Sequence, residues 1–318
     1  RGQGAERIMN AEAEFLQGRF VDAQICLENT YVHIAENGQE NMVLCCDFLA
    51  LRLALCTELS LSYTIAERRK ELLCRHNITW VTLFDSVCAY YYALSGQITQ
   101  IPVLFREHQL STVNFLAPGK PMMELIENQV YLAQQEYAKV IGRSEGLLAV
   151  CEAMHYALVA LHVQIQTAAA YECLGKRTEA RNCLKRALQI ALPDQFYLPF
   201  VENYEYLEEL LQREIQTADA AEHVFLTKVT ELGKNCQKRY GALRKTHMFP
   251  KIAAELTEQE QRIIELLAER LSNREIAEKL FLSEGTIKQY INRIYAKLQI
   301  SGDVRTKRRQ LIELLTAE

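Results

Sequence analysis

Lys288, Gln289 and Asn292 lie within the stretch LSEGTIKQYINRIYAKL, residues 282–298. Their types and spacing suit one kind of chemistry. A lysine ammonium bonds guanine O6 and N7 or a phosphate, while glutamine and asparagine amides pair bidentately with adenine in the major groove. Ile287, Ile291, Ile294 and Leu298 recur between them at helical spacing. One face of this helix is therefore built for a core, and the other offers Lys288, Gln289, Asn292 and Arg293 outward, as a recognition helix requires. A solvated face on a small bundle has the same pattern, so the surrounding elements decide.

Those elements announce themselves by their caps. Thr257 followed three residues later by Glu260 is a capping box opening a helix with Ile263, Ile264 and Leu267 inward. Ser272 with Glu275 is a second box, opening a short helix with Ile276, Ala277 and Leu280 inward, and Ser283 caps the third helix. Only Phe281 and Leu282 separate the second and third helices, the tight connection of a helix-turn-helix. The expected base-reading residues are Lys288, Gln289 and Asn292. The expected phosphate-positioning residues are Asn273, Arg274, Ser283, Thr286, Arg293 and Lys297, several of them at helix N-terminal ends.

The charge distribution points the same way. Residues 1–227 hold 18 Lys and Arg against 28 Asp and Glu, whereas residues 228–318 hold 18 against 12. An acidic body followed by a basic tail suggests a polyanion partner at the C-terminal end, although two ordinary domains can differ so by chance. Joined to the capping boxes and the two-residue turn, it points to double-stranded DNA. Residues 228–251, KVTELGKNCQKRYGALRKTHMFPK, read as a final helix fraying into a basic linker.

Before the linker the chain is a string of amphipathic helices with no sustained strand alternation, so the expected fold class is all-α. A repeat underlies the helices. Ala11, Gly18, Phe20, Ala23 and Leu27 stand at nearly the same offsets as Ala168, Gly175, Ala180, Leu184 and Ala187, with a weaker copy around Ala89, Gly96 and Phe105. Small residues let paired helices approach and the glycine permits the turn between them. Such hairpins stack into an α-solenoid with a concave face, and the spacing resembles tetratricopeptide repeats. The expected division is a tetratricopeptide-like helical sensory or interaction domain over 1–227, a basic linker over 228–254 and a small four-helix domain over 255–318.

Other chemistry is not indicated. The ten cysteines form no C-x-x-C pair and sit in apolar helical contexts, as reduced thiols do. Cys151, His155 and His162 are spaced for a metal on one helix, but VCEAMHYALVALHV reads more simply as one apolar buried helix. Tyr90, Tyr91 and Tyr92 read as core, and no nucleophile elbow or carboxylate pair stands out. The expectation is no enzyme, no cofactor and no metal. With no secretory signal and no apolar run free of charges, a cytoplasmic protein without membrane contact is expected. The start at Arg1 rather than Met suggests a piece of a longer chain.

LTEQEQRIIELLAERLSNREIAEKLFLSEGTIKQYINRIYAKLQI closely resembles the LuxR-type helix-turn-helix of bacterial transcription regulators, through LTEQE, LSNREIAEKL, LSEGTIK and the closing KL. The resemblance implies that Lys288, Gln289 and Asn292 occupy groove-facing positions. It also implies a fourth helix pairing two domains on an inverted repeat, here through Leu311, Ile312, Leu314 and Leu315. Arg270 stands where the family usually has glycine, Tyr290 where histidine is frequent, and SGDVRTKRRQ replaces a short link. ALQIALPDQFYLPFVENYEYLEELLQ looks like the end of the repeat domain in large LuxR-type regulators that also carry an ATPase, yet no G-x-x-x-x-G-K-[ST] occurs in this sequence. The resemblance implies a sequence-specific regulator whose repeats sense a small-molecule or protein effector and control a DNA-bound dimer. A different class is an interaction scaffold whose helix-turn-helix serves assembly.

Overall fold

The computed structural model describes residues 3–39, 42–57, 65–75, 78–113, 117–268, 271–297, 300, 307 and 311. Among them no strand occurs, and the chain divides into two compact units, residues 1–240 and 241–318.

The first unit is built from α1 (Gln3–Leu16), α2 (Phe20–Glu36), α3 (Val43–Cys56), α4 (Ile65–Cys74), α5 (Ile78–Leu94), α6 (Val103–Arg106), α7 (Lys120–Ala133), α8 (Tyr137–Ala153), α9 (Ala157–Cys173), α10 (Arg177–Ala191), α11 (Leu198–Glu202), α12 (Tyr204–Ile215) and α13 (Ala220–Glu255), whose last turns belong to the second. Each of α1, α3, α5 and α7 packs on the next of this series, ending at α9, while α2 and α8 fill between their neighbours. α11 touches both α9 and α1, so the end of the series returns to its beginning. Two hydrogen bonds hold that return: Tyr197 N–H donates to the Leu16 carbonyl at 2.8 Å, and Gln17 Nε2 donates to the Asp194 carbonyl at 2.8 Å.

One turn recurs. Gly18 and Gly175 take φ of +74° and +72°, and Gln135, His155 and Gln195 take the same left-handed conformation without being glycine. In each case the following backbone N–H closes back on a carbonyl five residues earlier, for example Lys176 on Tyr171 and Tyr156 on Cys151. The turns at 135, 155, 175 and 195 lie twenty residues apart, so two helices span forty residues. That period is longer than the ~34 residues of a tetratricopeptide repeat. The small residues do mark close helix contacts: Ala11, Ala23, Ala168, Ala180 and Ala187 have no exposed surface.

Two expectations are corrected. VCEAMHYALVALHV is not one helix. α8 stops at Ala153 and α9 starts at Ala157, because His155 accepts φ +56° where no glycine flags the turn. Among the described residues no group of three or more His, Cys, Asp or Glu is placed to hold a metal. Burial, aided by the nearby Arg52 charge, pushes His162 down to about 3, so it stays neutral in the core. The segment expected to fray is helical to Glu255. Its first half is held by a buried stripe of Phe225, Val229, Leu232, Cys236 and Tyr240 at helical spacing. Gly233 lies on that stripe because a Cβ there would stand 2.4 Å from the Tyr204 ring.

A buried charge cluster ties four helices of this unit together. Arg52 Nε donates to Glu202 Oε1 at 2.6 Å, and Tyr90 OH donates to Glu202 Oε2 at 2.8 Å. Arg52 also bonds Glu12, and its guanidinium lies over the Phe15 ring at 4.7 Å. Among the described residues no helix is long and apolar enough to cross a membrane.

The second unit holds the end of α13, then α14 (Glu258–Ala268), α15 (Asn273–Leu280) and α16 (Glu284–Lys297). The last three contact one another pairwise. Their shared core contains Ile263, Ile264, Leu267, Ile276, Ile287, Ile291, Ile294 and Leu311.

Candidate DNA-reading face

α16 is positioned from both ends. At its start the Thr286 N–H donates to Ser283 Oγ at 3.0 Å, and the two hydroxyls lie 2.7 Å apart. Before it, Ser272 and Glu275 form a reciprocal capping box on α15. α15 then ends on Phe281 at φ +53°, whose side chain is 96% exposed, and the Leu282 N–H closes on the Ala277 carbonyl at 3.0 Å. This left-handed residue makes the two-residue turn possible. Along its length α16 is anchored by Ile287, Ile291, Ile294 and Tyr295, all buried.

The opposite face of α16 is polar and exposed. Lys288, Gln289, Asn292 and Arg293 all lie in solvent. Lys288 makes only a loose pair, 3.7 Å from Glu284 one turn earlier, and its side chain is 64% exposed. Arg293 lies 5.7 Å from the Tyr290 ring centre, which orients the guanidinium without neutralising it. Gln289 and Asn292 have no hydrogen-bond partner among the described residues, so their amides stay open to a ligand. Arg274, at the start of α15, pairs with Glu278 at 3.2 Å and is 81% exposed. Asn273 is the first residue of α15 and is half-buried. Ser283 and Thr286 are engaged with each other at the start of α16, where their hydroxyls serve the cap first.

Lys297, expected at a phosphate, makes an ion pair within the unit. Its ammonium donates to Glu260 Oε2 at 2.6 Å, and Glu260 is buried. The same carboxylate oxygen accepts the Thr257 N–H at 2.8 Å, so one side chain caps α14 and clamps the last turn of α16. Burial alone pushes the Glu260 carboxyl up, but Lys297 and the Thr257 bonds outweigh it and hold the group below the ordinary carboxylate range. Lys297 thus braces the last turn of α16 while keeping 38% of its side chain exposed. Local spacing carries no sign of a bond across 37 residues.

Leu311 is also placed differently from its expected dimer role. It has no exposed surface and packs within the unit's own core. Ile312, Leu314 and Leu315, as well as Leu298 and Arg270, lie outside the described residues.

Residues 254–308 match the family described as bacterial regulatory proteins, luxR family. Among curated proteins, the "DNA-binding transcriptional activator DevR/DosR" of Mycobacterium tuberculosis (strain ATCC 25618 / H37Rv) is 49% identical over 43 residues, covering 14% of this chain and 20% of that protein. The chain therefore spans about a fifth of the length of the curated relative it matches. No solved structure matches. The match and the capped three-helix geometry fall on the same residues: the C-terminal part of this chain is a LuxR-family helix-turn-helix domain.

Proposed function

We propose that the chain is a sequence-specific DNA-binding transcription regulator. The observation that carries this reading is α16, anchored by one apolar face and exposing Lys288, Gln289 and Asn292 on the other. In this reading those three touch base edges, while Arg274, Asn273, Arg293 and the Ser283–Thr286 end of α16 set the helix against phosphates. The domain binds as a dimer on an inverted repeat, and the helical unit receives a small-molecule or protein signal that controls it. No catalytic step and no cofactor enters the account, and the place of action is the cytoplasm of a bacterium.

Affinity titrations of the intact chain on a bound duplex test the assignment. Lys288→Ala and Asn292→Ala should each cost about 1–3 kcal/mol and relax preference at one base position. Arg274→Ala should weaken binding to all sequences alike and lower the salt slope by about 1. Unchanged binding in all three variants refutes the reading and leaves the domain an assembly element.

A further inference from the structure

Phe281 is the most exposed large apolar side chain among the described residues. It keeps 96% of its surface in solvent, whereas the next, Val21, keeps 72%. A single exposed apolar residue is ordinary on a protein surface, but this one has a second peculiarity. Its backbone is left-handed, with φ +53° and ψ +42°. A Cβ makes that conformation unfavourable, and glycine or asparagine takes it more readily. The other described left-handed residues that are not glycine, His108, Gln135, His155 and Gln195, are all polar. A phenylalanine at this place gains almost nothing from burial and is disfavoured by its backbone. The fold needs the turn, but it does not need the ring.

The position of the ring gives it a use. Phe281 is the C-cap of α15 and stands two residues before Ser283, whose hydroxyl oxygen accepts the Thr286 N–H at the start of α16. Two residues span at most about 7 Å, so the ring belongs to the start of that helix. In helix-turn-helix docking the N-terminal residues of the second helix are the ones that reach base edges. Gly285 lies in this first turn and is exposed, and a Cβ there would meet only Ser283 Oγ, at 3.7 Å. The missing side chain lets the backbone come close to a duplex. Phe281, Ser283, Gly285, Lys288 and Gln289 are all exposed, from the turn into the reading helix. A phenyl ring carries no charge and no hydrogen-bonding group suited to a phosphate. Its match in the major groove is the C5-methyl group of thymine, the apolar feature of the base edges there.

We propose that Phe281 is a specificity-determining residue that packs against a thymine methyl at the edge of the sequence read by α16. This inference rests on the reading that α16 enters the major groove, and it adds one base to those assigned to Lys288, Gln289 and Asn292. The left-handed turn then holds the ring out of the domain's own core, where a base can meet it.

The test uses the intact chain and the duplex that it selects from random sequence. Each thymine in turn is replaced by deoxyuridine, which removes only the methyl group. Dissociation constants are measured for the intact chain, for Phe281→Gly and for Phe281→Asn. Both substitutions suit a left-handed turn, and circular dichroism checks the fold, so a shared loss reports the ring. Expected is a thymine position at which deoxyuridine weakens the intact chain about three- to fivefold, the effect of one buried methyl, and leaves both variants unchanged. On the unsubstituted duplex both variants should bind about fivefold or more weakly, with the salt slope unchanged because no phosphate contact is lost. Unchanged affinity in both variants overturns the proposal. So does a deoxyuridine effect of equal size in the intact chain and the variants. A loss in the variants with no methyl-dependent position also overturns it and would put the ring on the sugar backbone. Unchanged DNA affinity with lost transcription from the bound site overturns it in favour of a protein partner. Failure of the underlying reading looks different. If only the proposal fails, Lys288→Ala and Asn292→Ala still weaken binding; if the reading fails, the intact chain selects no duplex and both fall.

Discussion

Replacing Lys297 by Met tests whether this residue braces the reading helix or contacts phosphate. The ammonium lies 2.6 Å from a carboxylate that is buried, while Lys297 itself keeps 38% of its side chain exposed. Removing one partner of a fully buried pair costs roughly 3–5 kcal/mol, and solvent screening of the exposed lysine reduces that. The loss expected here is about 1–2 kcal/mol, since the Thr257 bonds still serve Glu260. Its pH dependence has a definite sign. The folded Glu260 value lies below the ordinary carboxylate value of 4.5, so the stabilisation is complete above that value. It is lost as pH falls through the depressed folded value. Native-state hydrogen exchange of α14 and α16 amides in the intact chain should therefore show lower protection in the variant at neutral pH, and a difference that vanishes in acid. A difference that persists unchanged into acid refutes the ionic brace. Unchanged protection, combined with a salt slope for DNA binding lowered by about 1, would restore the phosphate contact.

Three further outcomes follow from local geometry. Phe281→Gly should stabilise the C-terminal unit by about 0.5–1 kcal/mol, because the ring buries almost nothing and only glycine takes a left-handed φ without penalty; calorimetry in which the second unit does not gain stability contradicts it. Gly233→Ala should destabilise the first unit by about 1–2 kcal/mol despite the better helix propensity, because the methyl meets Tyr204; Gly142→Ala, in α8 with open space around it, should instead stabilise by about 0.5–1 kcal/mol. Arg52→Ala should cost about 3–5 kcal/mol in urea unfolding by stranding Glu202, and Arg52→Met with Glu202→Gln should recover much of it; equal losses in both would mean that packing rather than charge holds the cluster.

The C-terminal module was legible because its determinants are local. Thr257 with Glu260, Ser272 with Glu275 and Ser283 with Thr286 are each three residues apart, and the isoleucines of α16 repeat at helical spacing. What escaped reading depends on distant partners or on backbone that no residue type announces. Lys297 meets Glu260 across the fold, and in the sequence it is one more lysine on a basic helix. Arg52 reads as an interruption of an apolar run, yet it is the centre of a buried cluster whose carboxylates lie 40 and 150 residues away. The break between α8 and α9 was hidden because His155, not a glycine, takes the left-handed turn. The same use of His and Gln in place of Gly hid the twenty-residue spacing of these turns from the sequence. α13 was read too short because its stripe includes Gly233, Cys236 and Tyr240, residues that local propensity assigns to turns or to no element.

The central claim is that the exposed face of α16 reads a DNA sequence. The most direct measurement is a binding selection from random duplex DNA on the intact chain, run beside the triple variant Lys288→Ala, Gln289→Ala and Asn292→Ala. The account predicts that the intact chain enriches one defined sequence and that the triple variant enriches none while keeping its circular dichroism. Enrichment of the same sequence by both, or of none by either, would contradict it.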